Sequence, residues 1–385
     1  MKKYYLWLIL VLGAGNPVTG ELITRFGNAE EIYRAFKNNC AAAGSDYAKK
    51  AEKITLEDAE KLVSKLEKTG ITIVTPEDPL YPENLRKTDN PPVVLFAKGN
   101  TELLKEKLLT IGGARRITEY TIAAESEICE ELCKEYTLVA SLATGCEQLA
   151  CLSALKQRKG CIEILPCGFD YEYPKGTQMM RQQILMNGGC ILSEFLPETK
   201  TSNANYIKRA RISGGISKAM IVFQAAVNSG SLNAAKHSPA LFFIPPENVF
   251  SEKYAAAVSG VRNGARLYLS PNSLKQAFAD EYEPVKVQEF GNAKVYKKSD
   301  DTTLHGNMNV SEETNDTSSA SEVTAFESEI HEKIFTYISG KNEAVTFDEL
   351  YRLIDGDIAD LSEILLDLEI SGMIRAVAGN RFEKN

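Results

Sequence analysis

A window of 48 residues, Thr199 to Pro246, contains no aspartate or glutamate, although the whole chain holds 52 acids and 44 bases in 385 residues. The same window carries Lys200, Lys208, Arg209, Arg211, Lys218 and Lys236. Lys208-Arg209-Ala210-Arg211 leads into Ser213-Gly214-Gly215, and Asn228-Ser229-Gly230-Ser231 follows the apolar run Ala219–Phe223. Guanidinium groups, backbone N–H groups in a glycine turn and hydroxyls are the groups that hold an oligonucleotide backbone. A second candidate is Thr110-Ile111-Gly112-Gly113-Ala114-Arg115-Arg116, read as a strand entering a glycine turn and then a helix. Glycine lets a backbone approach phosphate, and a helix N-terminus aims N–H groups at it. The full G-x-G-x-x-G is absent, and a tight strand-to-helix turn needs glycine in any case. The anion-binding set read from these two stretches is Gly113, Arg115, Arg116, Lys208, Arg209, Arg211, Ser229, Gly230, Ser231 and Lys236. Tyr171, Tyr173 and Tyr206 are nearby rings that serve either base stacking or core packing.

Other chemistries lack their residues. There is no H-E-x-x-H, no Walker loop, no G-x-S-x-G and no placed Ser/His/Asp set. Glu194, after Ser193 at the end of an apolar run, is the one carboxylate positioned like a catalytic group, and one carboxylate is not a mechanism. The expectation is a binding protein rather than an enzyme, with no cofactor. Seven of the eight cysteines fall between Cys129 and Cys190, and the three histidines lie outside that region. Cys129 and Cys133 supply two thiolates, short of a tetrahedral metal site. The cysteines therefore read as small buried hydrophobes in a reducing cytosol. The net charge of −8 excludes coating of nucleic acid by bulk charge, so any such site must be a local basic patch. Lys2, Lys3 and the apolar Tyr4–Leu12 have the form of a signal peptide's first two regions, but no A-x-A cleavage site follows. The expectation is a buried helix in a cytoplasmic protein, with no apolar run long enough to span a membrane.

The elements that must position these groups follow an alternating rhythm. Residues 1–70 read as a small helical domain, with apolar residues at i, i+3, i+4 spacing in Ala29–Asn38 and Leu56–Lys68. From 71 to 290, strand candidates (Ile71–Val74, Pro92–Phe96, Leu108–Ile111, Tyr136–Ala140, Cys161–Leu165, Cys190–Leu192, Ala219–Phe223, Leu241–Ile244) alternate with helical stretches such as Tyr120–Tyr136 and Met179–Asn187. That order predicts an α/β class protein with a Rossmann-like, mostly parallel sheet core. Ligands of such sheets sit at the carboxyl ends of the strands. Residues 298–324 are rich in Ser, Thr, Asn, Asp and Glu with almost nothing that could form a core, and 291–325 read as a disordered linker. Residues 326–385, with Thr346-Phe347-Asp348-Glu349 in capping-box form at the start of the second helix, predict three helices and a hairpin, a winged-helix domain. It carries thirteen acids against six Lys or Arg, a net charge near −7, so pairing with a protein suits it better than DNA.

Taken in order, these motifs resemble the DprA/Smf (DNA-processing protein A) family from end to end. Pro76-Glu77-Asp78-Pro79-Leu80-Tyr81-Pro82, Pro91-Pro92-Val93-Val94-Leu95 and Lys98-Gly99 are similar to its lead-in. Gly113-Ala114-Arg115 with Thr118 and Tyr120 resembles its G-[SA]-R turn. Gly168-Phe169-Asp170, Tyr173-Pro174 and Ser193-Glu194 resemble the next blocks. Arg209-Ala210-Arg211-Ile212 is similar to R-N-R-I, Ser229-Gly230-Ser231-Leu232 with Ala235 to S-G-S-L-x-T-A, and Gly264-Ala265 to the closing G-A.

The resemblance implies an N-terminal helical domain of SAM or helix-hairpin-helix type. It also implies a homodimer that binds single-stranded DNA in a basic pocket and helps load a RecA-type recombinase during natural transformation. On it, Arg115, Arg209 and Arg211 contact phosphate, and Ser229, Gly230 and Ser231 shape the pocket. The chain departs from the family at Ala140-Ser141-Leu142-Ala143-Thr144-Gly145-Cys146-Glu147 (S-G-L-A-x-G-I-D), Cys151 (His), Ala210 (the Asn of R-N-R), Gln224 (Glu) and Ala234 (Thr). Two alternatives stay open. One is a nucleotide-binding or phosphoribohydrolase-like Rossmann protein, although Asn228–Asn233 lacks the Glu of P-G-G-x-G-T-x-x-E. The other is a regulatory paralogue inactive on DNA.

Overall fold

The computed structural model of the chain describes residues 1–38, 45–279, 287 and, within 329–384, all but 342, 352, 354–360, 362–363, 366–367, 370–372 and 378–380. The N-terminal helices are α1 (Lys2–Leu12), α2 (Pro17–Phe26), α3 (Ala29–Asn38), α4 (Ser45–Lys53) and α5 (Leu56–Lys68). Helix α1 is apolar nearly all round, and such a helix must be wrapped on every side. Tyr5–Ile9, Val11 and Leu12 are all buried. Trp7 meets Tyr33 and Phe36 edge-on at 5.0 and 5.6 Å. The same cluster takes in Ile71, Ile73, Val93, Val94 and Phe96. The helices of 1–70 therefore share one core with the first strands, across the boundary that composition suggested at residue 70.

The strands and helices that follow are β1 (Thr72–Val74), α6 (Glu83–Arg86), β2 (Leu95–Gly99), β3 (Leu108–Gly112), α7 (Glu119–Leu132), β4 (Thr137–Ala140), α8 (Cys146–Lys156), β5 (Ile162–Ile164) and α9 (Gln178–Met186). Then come β6 (Cys190–Ser193), α10 (Asn203–Gly215), β7 (Ala219–Val222), α11 (Ser231–Ala235), β8 (Ala240–Phe243), α12 (Ala255–Arg262), β9 (Arg266–Leu267) and α13 (Pro271–Ala279). They form one sheet in the order β1-β2-β6-β5-β4-β3-β7-β8-β9. From β6 to β9 the neighbours are parallel, while β1 and β2 are antiparallel additions. Successive residues of a strand face opposite sides. Leu109, Ile111, Leu138, Ala140, Ile221 and Phe223 enter one core with α7 and α8, while Val139, Ile162 and Ile164 enter another with Ile212 of α10 and Ile216 just after it. Burial on both faces explains why these strands are continuous apolar runs.

One topological feature decides where a ligand fits. From β3 the chain builds outward through β4, β5 and β6, then returns by α10 to lay β7, β8 and β9 on the other side of β3. Thr110 pairs with Val139 on one flank and Met220 on the other. Strand order reverses between β3 and β7, and the crevice outside their carboxyl ends is the place where such sheets bind ligands.

The C-terminal module has α14 (Glu329–Ser339), β10 (Val345–Thr346), α15 (Phe347–Tyr351), β11 (Ile374–Val377) and β12 (Arg381–Lys384). The strands pair in the order β10-β12-β11. Thr346 and Glu349 exchange the reciprocal bonds of a capping box. Leu361, Ile364, Leu365 and Leu368 join Ile334, Ile338 and Phe382 in its core. This is the winged-helix arrangement expected from the sequence. The expected linker at 291–325 lies outside the described residues.

Candidate nucleic-acid interface

The turn after β3 brings the first arginine over the crevice. A Cβ on Gly113 would stand 2.4 Å from Cys146 Sγ, and one on Gly145 only 2.3 Å from the Ala114 carbonyl oxygen. Two segments thus touch at distances that only glycine permits, and Gly145 also holds φ at +86°, in the left-handed region. Ala114 N donates to the Gln224 carbonyl (2.7 Å), and Cys146 N donates to the Ala114 carbonyl (3.2 Å). The Gln224 side chain finishes the clamp. Its Oε1 accepts from Thr118 N and Thr121 Oγ1, both at 3.0 Å, and its Nε2 donates to the Arg116 carbonyl at 2.9 Å. An ionised Glu has no donor for that last bond, so the Gln found here suits the backbone of this turn.

Helix α10 brings the second arginine. Ser202 caps it by accepting from Asn205 N at 3.3 Å. The Arg209 guanidinium lies 5.7 Å from the Tyr206 ring centroid, and Tyr206 meets Tyr173 edge-on at 5.1 Å. Burial, with a hydrogen bond to Tyr173, pushes the Tyr206 phenol far above its usual range, so it stays neutral. Arg209 Nε, like Arg211 Nε on the other side of the helix, is buried without a hydrogen-bond partner. Beyond β7, the hydroxyls of Ser229 and Ser231 stand 2.9 Å apart.

These groups line one cleft: Gly113, Arg115, Tyr173, Tyr206, Arg209 and the segment Ser229–Ser231, with Thr110, Ser141 and Ser213 beneath. Glu147 lines it too, but its carboxylate is tied to Ser141, accepting from the backbone N at 3.1 Å and from the hydroxyl. The cleft can offer a polyanion two guanidinium groups, several hydroxyls and two aromatic rings.

The sequence-derived set divides at this point. Gly113, Arg115, Arg209, Ser229, Gly230 and Ser231 line the cleft; Arg116, Lys208, Arg211 and Lys236 do not. Arg211, expected beside Arg209 on phosphate, is buried and donates from Nη2 to Glu194 Oε1 at 2.5 Å. Lys208 Nζ donates to the Ala14 carbonyl at 2.8 Å. Both belong to the seam between the N-terminal helices and the sheet. The reason is helical geometry: at about 100° per residue, Arg209 and Arg211 project roughly 200° apart. Arg116 is exposed, and its carbonyl is the part that Gln224 uses. Lys236 is exposed and donates to Asn233 Oδ1 at 3.0 Å. Lys218 precedes β7, at the opposite end of the strand, and donates to the Phe278 carbonyl at 3.4 Å. The acid-free window is therefore not one surface. Reading 203–215 as a basic stretch missed the helix; Ser202 as an N-cap was the signal available. Gln224 was noted only as a departure, and Ser141 and Glu147 carried no signal apart from the motif they sit in. The cysteines from Cys129 to Cys190 are buried thiols, and Cys40 lies outside the described residues.

Comparison with known proteins is consistent in kind. The family model for DNA recombination-mediator protein A matches residues 72–279, and that for the DprA winged helix domain matches 318–380. The DNA processing protein DprA of Bacillus subtilis is 28% identical over 211 residues, covering 53% of this chain and 70% of that protein. Protein Smf of Synechocystis is 31% identical over 209 residues, covering 52% of each, so the match spans about half that relative's length. The X-ray structure of DNA processing protein A from Streptococcus pneumoniae aligns with a TM-score of 0.60 at 23% identity, over 74% of this chain and 99% of that one. That last likeness is one of fold.

Proposed function

Because the chain belongs to the DNA recombination-mediator protein A family, we propose that it binds single-stranded DNA in the cleft at the carboxyl ends of β3 and β7 and passes it to a RecA-type recombinase. The observation that carries this reading is the meeting of Arg115, Arg209 and the Ser229–Ser231 segment around one cleft walled by Tyr173 and Tyr206. Phosphates take the guanidinium and hydroxyl groups, and unstacked bases take the rings. A duplex does not expose its base faces in this way, so single strands are preferred. The protein acts as a homodimer in this reading. In its support, Val261 and Leu269 flank β9, one of the two edge strands of the sheet, along the chain and are exposed. Recombinase loading rests on the family resemblance.

The test is fluorescence anisotropy of labelled oligo-dT across a salt series, with the Arg115→Glu/Arg209→Glu variant alongside. Log affinity should fall with log salt at about −0.7 per phosphate held. The variant should bind far more weakly and show a shallower slope. No binding of the wild type at low salt, or equal binding by the variant, would overturn the proposal.

A further inference from the structure

Glu163 is an anomaly in β5. Its neighbours Ile162 and Ile164 are core residues, and a carboxylate inside a parallel sheet is costly unless paired. Its partner is Arg181 of α9, whose Nε donates to Glu163 Oε1 at 2.9 Å and Oε2 at 3.1 Å. The side chains are only 1% and 12% exposed, so neither serves the surface. The rest of the guanidinium is used elsewhere. Nη1 donates to the Tyr171 carbonyl at 3.3 Å, and Nη2 donates to the Tyr173 carbonyl. The segment tied down in this way carries Tyr173, whose ring meets Tyr206, whose ring in turn lies beside Arg209. Tyr173, Tyr206 and Arg209 all line the cleft, while Glu163 and Arg181 do not.

We propose that Glu163 and Arg181 are positioning residues that hold the 171–173 segment so that Tyr173 and Tyr206 form a rigid subsite for one nucleobase, separate from the phosphate contacts of Arg115 and Arg209. The planar guanidinium is what the role requires. It can grip a carboxylate along one edge and two carbonyls with its other nitrogens, which a lysine ammonium on a flexible stem cannot do together. Holding the rings in place before binding removes an ordering cost that the bound base would otherwise meet.

The inference rests on the single-stranded DNA reading, and the experiment separates the two. Wild type and Arg181→Lys, which keeps the charge opposite Glu163, are titrated with oligo-dT and with an abasic oligonucleotide of equal length. For the wild type, removing the bases should weaken binding about tenfold or more. Arg181→Lys should lose most of that factor while keeping the abasic affinity and the salt slope. Equal loss on both oligonucleotides, or no loss on either, overturns the positioning role. Hydrogen–deuterium exchange gives a readout without ligand: amides of 171–177 should exchange faster in Arg181→Lys, and unchanged exchange there overturns the proposal as well. A wild type that binds neither oligonucleotide defeats the DNA reading and the base subsite together. In that event the exchange result still decides whether Arg181 holds the segment.

Discussion

Arg209 and Arg211 sit two residues apart on α10, and their surroundings differ completely. Arg211 turns toward the N-terminal helices, where Glu194 and the Lys208 carbonyl accept from it and Lys208 in turn holds Ala14. Gly15 lies so close to this seam that a Cβ there would stand 2.7 Å from Lys208 Cδ. Arg209 turns toward the cleft, beside Tyr206. In the seam, the Arg211 charge is paired with the buried Glu194 carboxylate; on the other side of the helix, Arg209 lines the cleft. Residue type alone therefore says little about role. What matters is which side of the helix the side chain leaves from and what it meets there.

The largest effect should come from the seam. Arg211→Met leaves Glu194 buried without its cation, and should lower unfolding stability by about 3–5 kcal/mol, read from urea denaturation. Adding Glu194→Leu should recover most of that loss; no recovery would mean that the pair is not what the first substitution disturbed. In the cleft the sign of the comparison reverses. Arg209→Gln should leave the urea midpoint nearly unchanged and weaken oligo-dT binding by about 1.5–3 kcal/mol, the value of charge-assisted bonds to phosphate. A stability loss comparable to that of Arg211→Met would erase the distinction.

Glu163 gives the cleft side a pH signature. Burial outweighs the nearby Arg181 and Arg209 and pushes its carboxyl from the ordinary 4.5 up to about 7. Between these values the folded chain holds a proton that the unfolded chain has released. This group's contribution to stability is therefore full below about pH 4.5 and is lost as pH rises through about 7. Thermal midpoints across that window should fall less steeply for Glu163→Gln than for wild type, and parallel curves would refute the assignment. The smallest effect belongs to Lys208→Met, where one partly exposed bond to Ala14 is lost: about 1 kcal/mol in urea unfolding, with DNA affinity unchanged.

The legible parts of this molecule were those governed by local patterning. Alternating apolar runs and helical stretches announced a parallel sheet, and Ala29–Asn38 and Leu56–Lys68 were read to the residue. The Thr346–Glu349 capping box was equally plain, because its two partners are neighbours in the chain. Helix α10 was not legible, since its buried positions include Asn205, Arg211, Gly214 and Gly215 and give little apolar periodicity. Composition changes at residue 70, while the core around α1 continues into β1 and β2, a packing that composition does not record.

The sequence by itself determined the class of fold, the family likeness and the supply of groups able to hold phosphate: two glycine turns, several arginines and a serine pair. Only the tertiary structure decided which of those groups work together. The reversal of strand order between β3 and β7 opens the cleft, and the phase of α10 sends Arg209 into it and Arg211 away. Both depend on the direction of a side chain relative to elements distant in the chain, which neither composition nor spacing encodes.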